Sequence, residues 1–240
     1  MKRGIAVAAL LVFTSLVTIV VRAPAAWIGD WLQTRSKVRL VDARGTVWHG
    51  TAFVGMSDGR ATTLVPGRIE WRLAGDLSAQ ISHPWLAAPL RISLRQSSIG
   101  LAAGSARVPA GVLASAGAPF NTVRPGGTLE VSWTQTELRG AGLTGDVQID
   151  WRDATSALSP ISPLGTYRLR VSGRGHSSSY LDLQTLRGPL QLQGSGKING
   201  LQVRFRGTAA ADAGMQSALD GLLGVLGMRS GDKVLLAIDT

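Results

Sequence analysis

The 240-residue chain contains no cysteine, which removes disulfides, Cys-ligated zinc, iron–sulfur clusters and a thiol nucleophile together. It has three histidines, His49, His83 and His176, with no i,i+4 pairing that would set two metal ligands on one helix face. No Walker A loop or His-Glu-x-x-His helix occurs. No catalytic residue, metal ligand or cofactor is therefore expected. Aromatic residues are scarce at 5%, though seven are tryptophan. Lysine is scarce too, since only Lys2, Lys37, Lys197 and Lys233 accompany the arginines among 25 basic residues.

The formal net charge is +10, which would suit nucleic acid, a lipid surface or an acidic protein face. Its distribution separates these. Lys2, Arg3 and Arg22 bracket an uncharged run from Ile5 to Val21, and many of the remaining arginines alternate with apolar residues. No dense basic run and no nucleic-acid motif accompanies them, so no nucleic-acid partner is expected.

As a helix the run from Ile5 to Val21 would be about 26 Å long, slightly short of a bilayer core. Ala23-Pro24-Ala25 offers a near match to a signal-peptide cleavage site, but the run is long for a signal peptide and Arg22 and Pro24 interrupt the site. The reading favoured is an uncleaved anchor over residues 5–22, with Ile5, Leu10, Leu11, Phe13, Leu16 and Val21 in the bilayer and Arg22 at the headgroups. Residues 1–4 would then be cytoplasmic and the rest of the chain periplasmic. A juxtamembrane helix is expected over residues 23–37, with Trp27, Ile28, Trp31 and Leu32 on one face. That face belongs at the membrane–water boundary or in the soluble core.

From Val38 to residue 240 the pattern alternates. Ile69, Trp71 and Leu73 share one phase, with Arg68, Glu70 and Arg72 on the other, and Pro66-Gly67 ahead of them carries type II turn residues. Similar strands are expected near Leu77–Ile81, Leu90–Leu94, Leu129–Trp133, Val147–Trp151, Tyr167–Val171, Leu190–Leu192 and Leu201–Phe205. Short strands bounded by Gly, Pro, Ser and Asp predict a mainly β fold, an antiparallel sheet or sandwich-like domain. The Ala/Gly/Ser/Pro-rich stretch 100–127 is a candidate join between two halves, across which Pro66-Gly67 is echoed by Pro125-Gly126-Gly127. Met215, Leu219, Leu222, Leu223 and Leu226 predict a short C-terminal helix stopped by Gly227, and Val234, Leu235 and Ile238 a last strand. Gly194 to Gly200 reads as a hairpin turn rather than a phosphate loop. Asp146, Asp150 and Asp153 read as strand-end residues.

Several stretches in order resemble the type II secretion system protein N family. They are Gly45-Thr46-Val47-Trp48-His49-Gly50, Pro66-Gly67 through Trp71, Pro163-Leu164-Gly165-Thr166-Tyr167, Gly188-Pro189-Leu190 through Gly194, and Leu222 to Gly227. The resemblance implies a non-enzymatic accessory of the inner membrane that supports export of folded proteins from the periplasm across the outer membrane. It implies platform subunits as partners, with the secretin as a further one, and no small-molecule substrate. Trp48 and Trp71 read as core residues of the β layer. Two other classes stay open from the residues alone. One is a membrane-anchored β protein that binds or transfers lipid; the other is a hydrolase built on groups such as His176 and Asp182.

Overall fold

Alternation from Val38 onward is realised as antiparallel strands. The computed structural model describes residues 18, 20–34, 36, 38–57, 62–116, 120–140, 142–175, 178–200 and 202–239, in two units, Met1–Pro84 and Trp85–Thr240. Most of the expected anchor, including Ile5, Leu10, Leu11, Phe13 and Leu16, lies outside the described residues, as does His176. Among the described residues no helix is long and apolar enough to cross a membrane.

The described residues of the first unit include a helix, α1 (Ala26–Gln33), and the strands β1 (Val38–Gly45), β2 (His49–Ser57), β3 (Thr62–Leu73) and β4 (Ser78–Ser82). The helix is shorter than the expected 23–37. Pro24, which lacks an N–H, precedes its first turn, and Thr34 ends it by turning its hydroxyl onto the Trp31 carbonyl at 2.8 Å. Gly29 is buried where the helix packs on β1, and a Cβ there would make ordinary contact with Leu40 Cβ at 3.6 Å. The strands pair in sequence order, with Leu40 opposite Val54, Ala52 opposite Ile69, and Trp71 between Gly50 and Ile81. Pro66-Gly67 is not a turn. It lies inside β3, where Arg68 faces Phe53 and Leu64 faces Gly55, so the extra residues form a bulge that Gly67 accommodates at φ 100°.

The second unit contains β5 (Leu90–Arg95), β6 (Ser98–Leu101), β7 (Gly104–Pro109), a 3₁₀ turn (Ala110–Ala116), α2 (Phe120–Val123), β8 (Pro125–Trp133), β9 (Thr136–Arg139) and β10 (Gly142–Ser156). After these come β11 (Gly165–Arg174), β12 (Ser178–Arg187), β13 (Leu190–Asn199), β14 (Gln202–Ala211), α3 (Gln216–Leu226), β15 (Met228–Ser230) and β16 (Lys233–Asp239). The stretch 100–127 therefore carries a strand and two short helical segments, and the two units divide after Pro84. The sheet forks at β10, whose first residues pair β9 while Val147 to Ser156 pair β8. On its other edge the order runs β10-β11-β12-β13-β14-β16-β15, all antiparallel. Within each unit the strands join in one open antiparallel sheet, where a sandwich-like pair of layers was the other expectation. Gly194 to Asn199 is strand, and the hairpin turn falls one step later, at Gly200.

The second core lies between this sheet and α3. Of the expected stripe, Leu219, Leu222 and Leu223 are buried against Ala209, Val234, Leu190 and Tyr167 and Leu226 is partly buried there, whereas Met215, ahead of the helix, is exposed. Gly227 does end the helix, in extended backbone at φ 171°, and a Cβ there would run into the Leu235 carbonyl. Leu222, 1% exposed, sits where truncation leaves a hole. Leu222→Ala is expected to lower stability by about 3 kcal/mol, measured as a shifted denaturant midpoint of the detergent-solubilised chain followed by tryptophan emission.

Candidate functional site

The residues that leave the expected anchor are fixed to the first unit by hydrogen bonds that do not depend on their side chains. Val47 N–H donates to the Ala23 carbonyl at 2.8 Å, and Ala25 N–H donates to Gly45 at 3.1 Å. Trp48 Nε1 donates to the Val20 carbonyl at 2.7 Å. Trp48 is itself 38% exposed, so it is not a core residue; it clasps the lead-in segment from outside. Gly45 makes the clasp possible. At φ 90°, a Cβ on it would meet the His49 carbonyl at 2.5 Å in the tight turn between β1 and β2.

The clasp delivers α1 onto one sheet face. There the alternate residues of all four strands, Val38 and Leu40, Val54, Ile69 and Leu73, and Ala79 and Ile81, face Trp27, Ile28, Trp31 and Leu32. Between helix and sheet lies a groove of about 600 Å³. All its lining side chains are apolar apart from the indole N–H groups, and that of Trp71 is satisfied by the Val47 carbonyl at 3.0 Å. Trp71 closes the groove's floor at 5% exposure, whereas Trp27 and Trp31 are 54% and 56% exposed. Gly50 serves Trp71 directly, since the ring lies where a Cβ would stand, with Cε2 at 2.9 Å. Val21 and Arg22 are exposed within the clasped segment.

The opposite sheet face is polar, as the alternation predicts. Arg68 pairs with Asp42 at 2.7 Å, and Glu70 joins His49 and Arg72, each at 3.2 Å. Hydrogen bonds from Arg68 and then Arg44 hold the Asp42 carboxyl below its ordinary value, and His49 and then Arg72 do the same for Glu70. His49 is thus placed as a hydrogen-bond partner of Glu70 on the polar face.

In the second unit the motif residues Gly165, Gly188 and Pro189 meet where β11, β12 and β13 begin and end. Leu164 N–H donates to Ala154, Leu190 N–H donates to Leu164, and the Tyr167 hydroxyl is shared between the Leu164 and Leu190 carbonyls at 3.1 and 3.0 Å. Burial pushes the Tyr167 phenol well above its ordinary range. Gly194 lies under Phe205, with the Arg206 carbonyl 2.8 Å from its missing Cβ.

One ion pair in this unit escaped sequence reading. Arg168, expected on a wet face, reaches across to the buried Asp150 with two 2.7 Å bonds. The Arg168 bond, against the opposing effect of burial, holds Asp150 below the usual carboxylate range. A lowered folded value stabilises above the unfolded value of about 3.9 and is lost as pH falls through the folded one. The chain is accordingly expected to lose stability below about pH 4, and Asp150→Asn to flatten that limb of a midpoint-versus-pH curve. Arg168→Leu, which strands the carboxylate, is expected to cost about 3 kcal/mol at neutral pH.

A second concavity of about 590 Å³ lies on the β8–β10–β11–β12 surface, around Trp133, Asp146, Arg170, Tyr180 and Asp182. Its lining contains no histidine; the hydroxyls of Ser132 and Ser172 and the carboxylates of Asp146 and Asp182 are among its polar groups. Among the described residues no cluster of three or more His, Asp or Glu could hold a metal ion.

Comparison with known proteins gives one family. The model for the type II secretion system (T2SS), protein N, matches residues 36–235, a span that includes every motif glycine named above. No curated protein and no solved structure matched the chain. With the family model covering both units, the chain belongs to the type II secretion system protein N family.

Proposed function

We infer from family membership an accessory role in type II secretion, and with it an envelope setting. We propose, more narrowly, that the chain is a single-pass inner-membrane protein whose β units stand in the periplasm, where they act as a non-catalytic interaction surface. Its partners are the inner-membrane platform subunits, with the secretin as a further contact. The observation that carries this is the family match across residues 36–235. The clasp supports it, because a segment leaving a membrane span and fixed by backbone hydrogen bonds transmits the anchor's position to the sheet. Exposed apolar side chains such as Leu138, Tyr180 and Leu186 give the second unit surface to present.

The test is photo-crosslinking in intact membranes from residues replacing Leu138 and Leu186. Platform or secretin subunits are the expected adducts. A chain that is retained in the membrane, is needed for secretion and yields neither would defeat the partner assignment. Alkaline extraction tests the anchor separately, since a chain released by carbonate is not a single-pass membrane protein.

A further inference from the structure

The first unit leaves an apolar surface that its own small core does not fill. Its buried residues are Ala25, Ala52 and Trp71, with a ring of half-buried side chains around them, and the groove between α1 and the sheet remains open. We propose that this groove seats one acyl chain of a bilayer phospholipid while the headgroup stays outside beside Trp27 and Trp31. The inference rests on the membrane anchoring proposed above and adds a ligand site to it.

The lining decides the chemistry. Side chains from α1 and all four strands offer hydrocarbon, and the Trp71 N–H is already used by Val47. A protein docking there would bring polar groups that need partners, at roughly one hydrogen bond per 100–200 Å² of interface, and the strand side chains of the groove supply none. A sugar or nucleotide fails for the same reason, and water inside would lack the two to four polar neighbours it requires, or about that number. An acyl chain has no such requirement.

Position decides the source. Only Ala23, Pro24 and Ala25 separate Arg22, the last residue of the expected span, from α1, and four chain steps reach at most about 15 Å. The clasp removes the slack in those steps. The groove wall thus stands within a few residues of the headgroup level. The two half-exposed tryptophans on that wall have the apolar body and polar tip suited to the membrane–water boundary, and the exposed Arg22 meets phosphate there.

The experiment uses the full chain in vesicles of phosphatidylethanolamine and phosphatidylglycerol, with a trace of phosphatidylglycerol bearing a diazirine midway along one acyl chain. Irradiation is expected to label peptides covering α1 and Val38 to Leu40, in addition to the lipid-facing anchor. Ala79→Trp, which fills the groove from β4, is expected to cut the α1 and β1 labelling by about tenfold, while Gln80→Trp, on the opposite face, leaves it unchanged. Labelling confined to residues 5–21 overturns the proposal, as does equal labelling in a folded Ala79→Trp chain. If Ala79→Trp does not fold, the map on the unaltered chain decides alone. A photoreactive residue at Ile28 that captures a protein instead of lipid in native membranes also overturns it. Carbonate extraction of the same vesicles separates the two failures. Release of the chain defeats the anchored reading, whereas a retained chain with an unlabelled groove defeats only the acyl-chain seat.

Discussion

Gly188→Val is expected to leave the second unit unfolded, giving a chain degraded under conditions where the unaltered protein resists protease. Gly188 has φ 122°, a region costly for any side chain and most of all for a β-branched one. Space is the larger obstacle. A Cβ would fall on the Gly165 Cα, 2.6 Å from the Leu164 carbonyl and 3.0 Å from the Gly165 nitrogen. These are backbone atoms, fixed by the Leu164–Ala154 and Leu190–Leu164 bonds and by the Tyr167 hydroxyl above them. Relief requires separating the start of β11 from the β12–β13 turn, which opens the core at Leu164, Tyr167 and Leu190. Strain of about 1–3 kcal/mol at the dihedral adds to that lost packing, for a total above about 4 kcal/mol. Gly221→Ala is the control. It lies in α3 with nothing within 4 Å of a new Cβ, and alanine there is expected to add up to about 1 kcal/mol. Protease resistance and near-ultraviolet dichroism of both variants check the pair, and a Gly188→Val chain with the native midpoint would remove the backbone approach as the reason for glycine at this motif position.

Much of this architecture was legible because alternation is a local property. Ile69, Trp71 and Leu73 were assignable to one face from spacing alone, and the groove uses that face. The C-terminal stripe was legible for the same reason in its middle, with Leu219, Leu222 and Leu223 buried, though Met215 at its start is exposed. The pairing of Pro with Gly misled at residues 66–67, since a residue with positive φ serves a bulge as well as a turn. Strand β7 was hidden in an Ala/Gly/Ser-rich stretch. Its Gly104 is required by a ring on another strand, Trp133, whose Cε2 lies 3.1 Å from the missing Cβ and whose N–H donates to Ala102. The Asp150–Arg168 pair was equally invisible, being set by the β10–β11 register and not by sequence distance. The tryptophan stripe of α1 was readable, but its role as a groove wall depends on four strands aligning their alternate residues beneath it.

Trp71→Ala is expected to destabilise the first unit by about 3–5 kcal/mol while leaving the second unit's amide protection unchanged. Three losses coincide at this residue. The indole is the largest buried side chain in a core whose other buried members are alanines, so its removal strips the apolar contacts that Leu40, Ile69, Leu73 and Ile81 make with that core. The Val47 carbonyl loses its donor, and that carbonyl stands in the turn that clasps residues 20–25. Gly50 loses the ring covering its backbone, exposing a strand position with no side chain of its own. Trp71→Phe separates these contributions. It keeps a ring over Gly50 and most of the packing but abandons the hydrogen bond, so its cost should fall to about 1–2 kcal/mol. Hydrogen exchange resolved by peptide is the measurement. In Trp71→Ala, amides of β2 and β3 and of the Gly45–Trp48 turn should exchange faster together, because one side chain ties all three. If the turn stayed protected while the strands opened, the clasp would be independent of the core, and residues 20–25 would no longer be coupled to the sheet through Trp71.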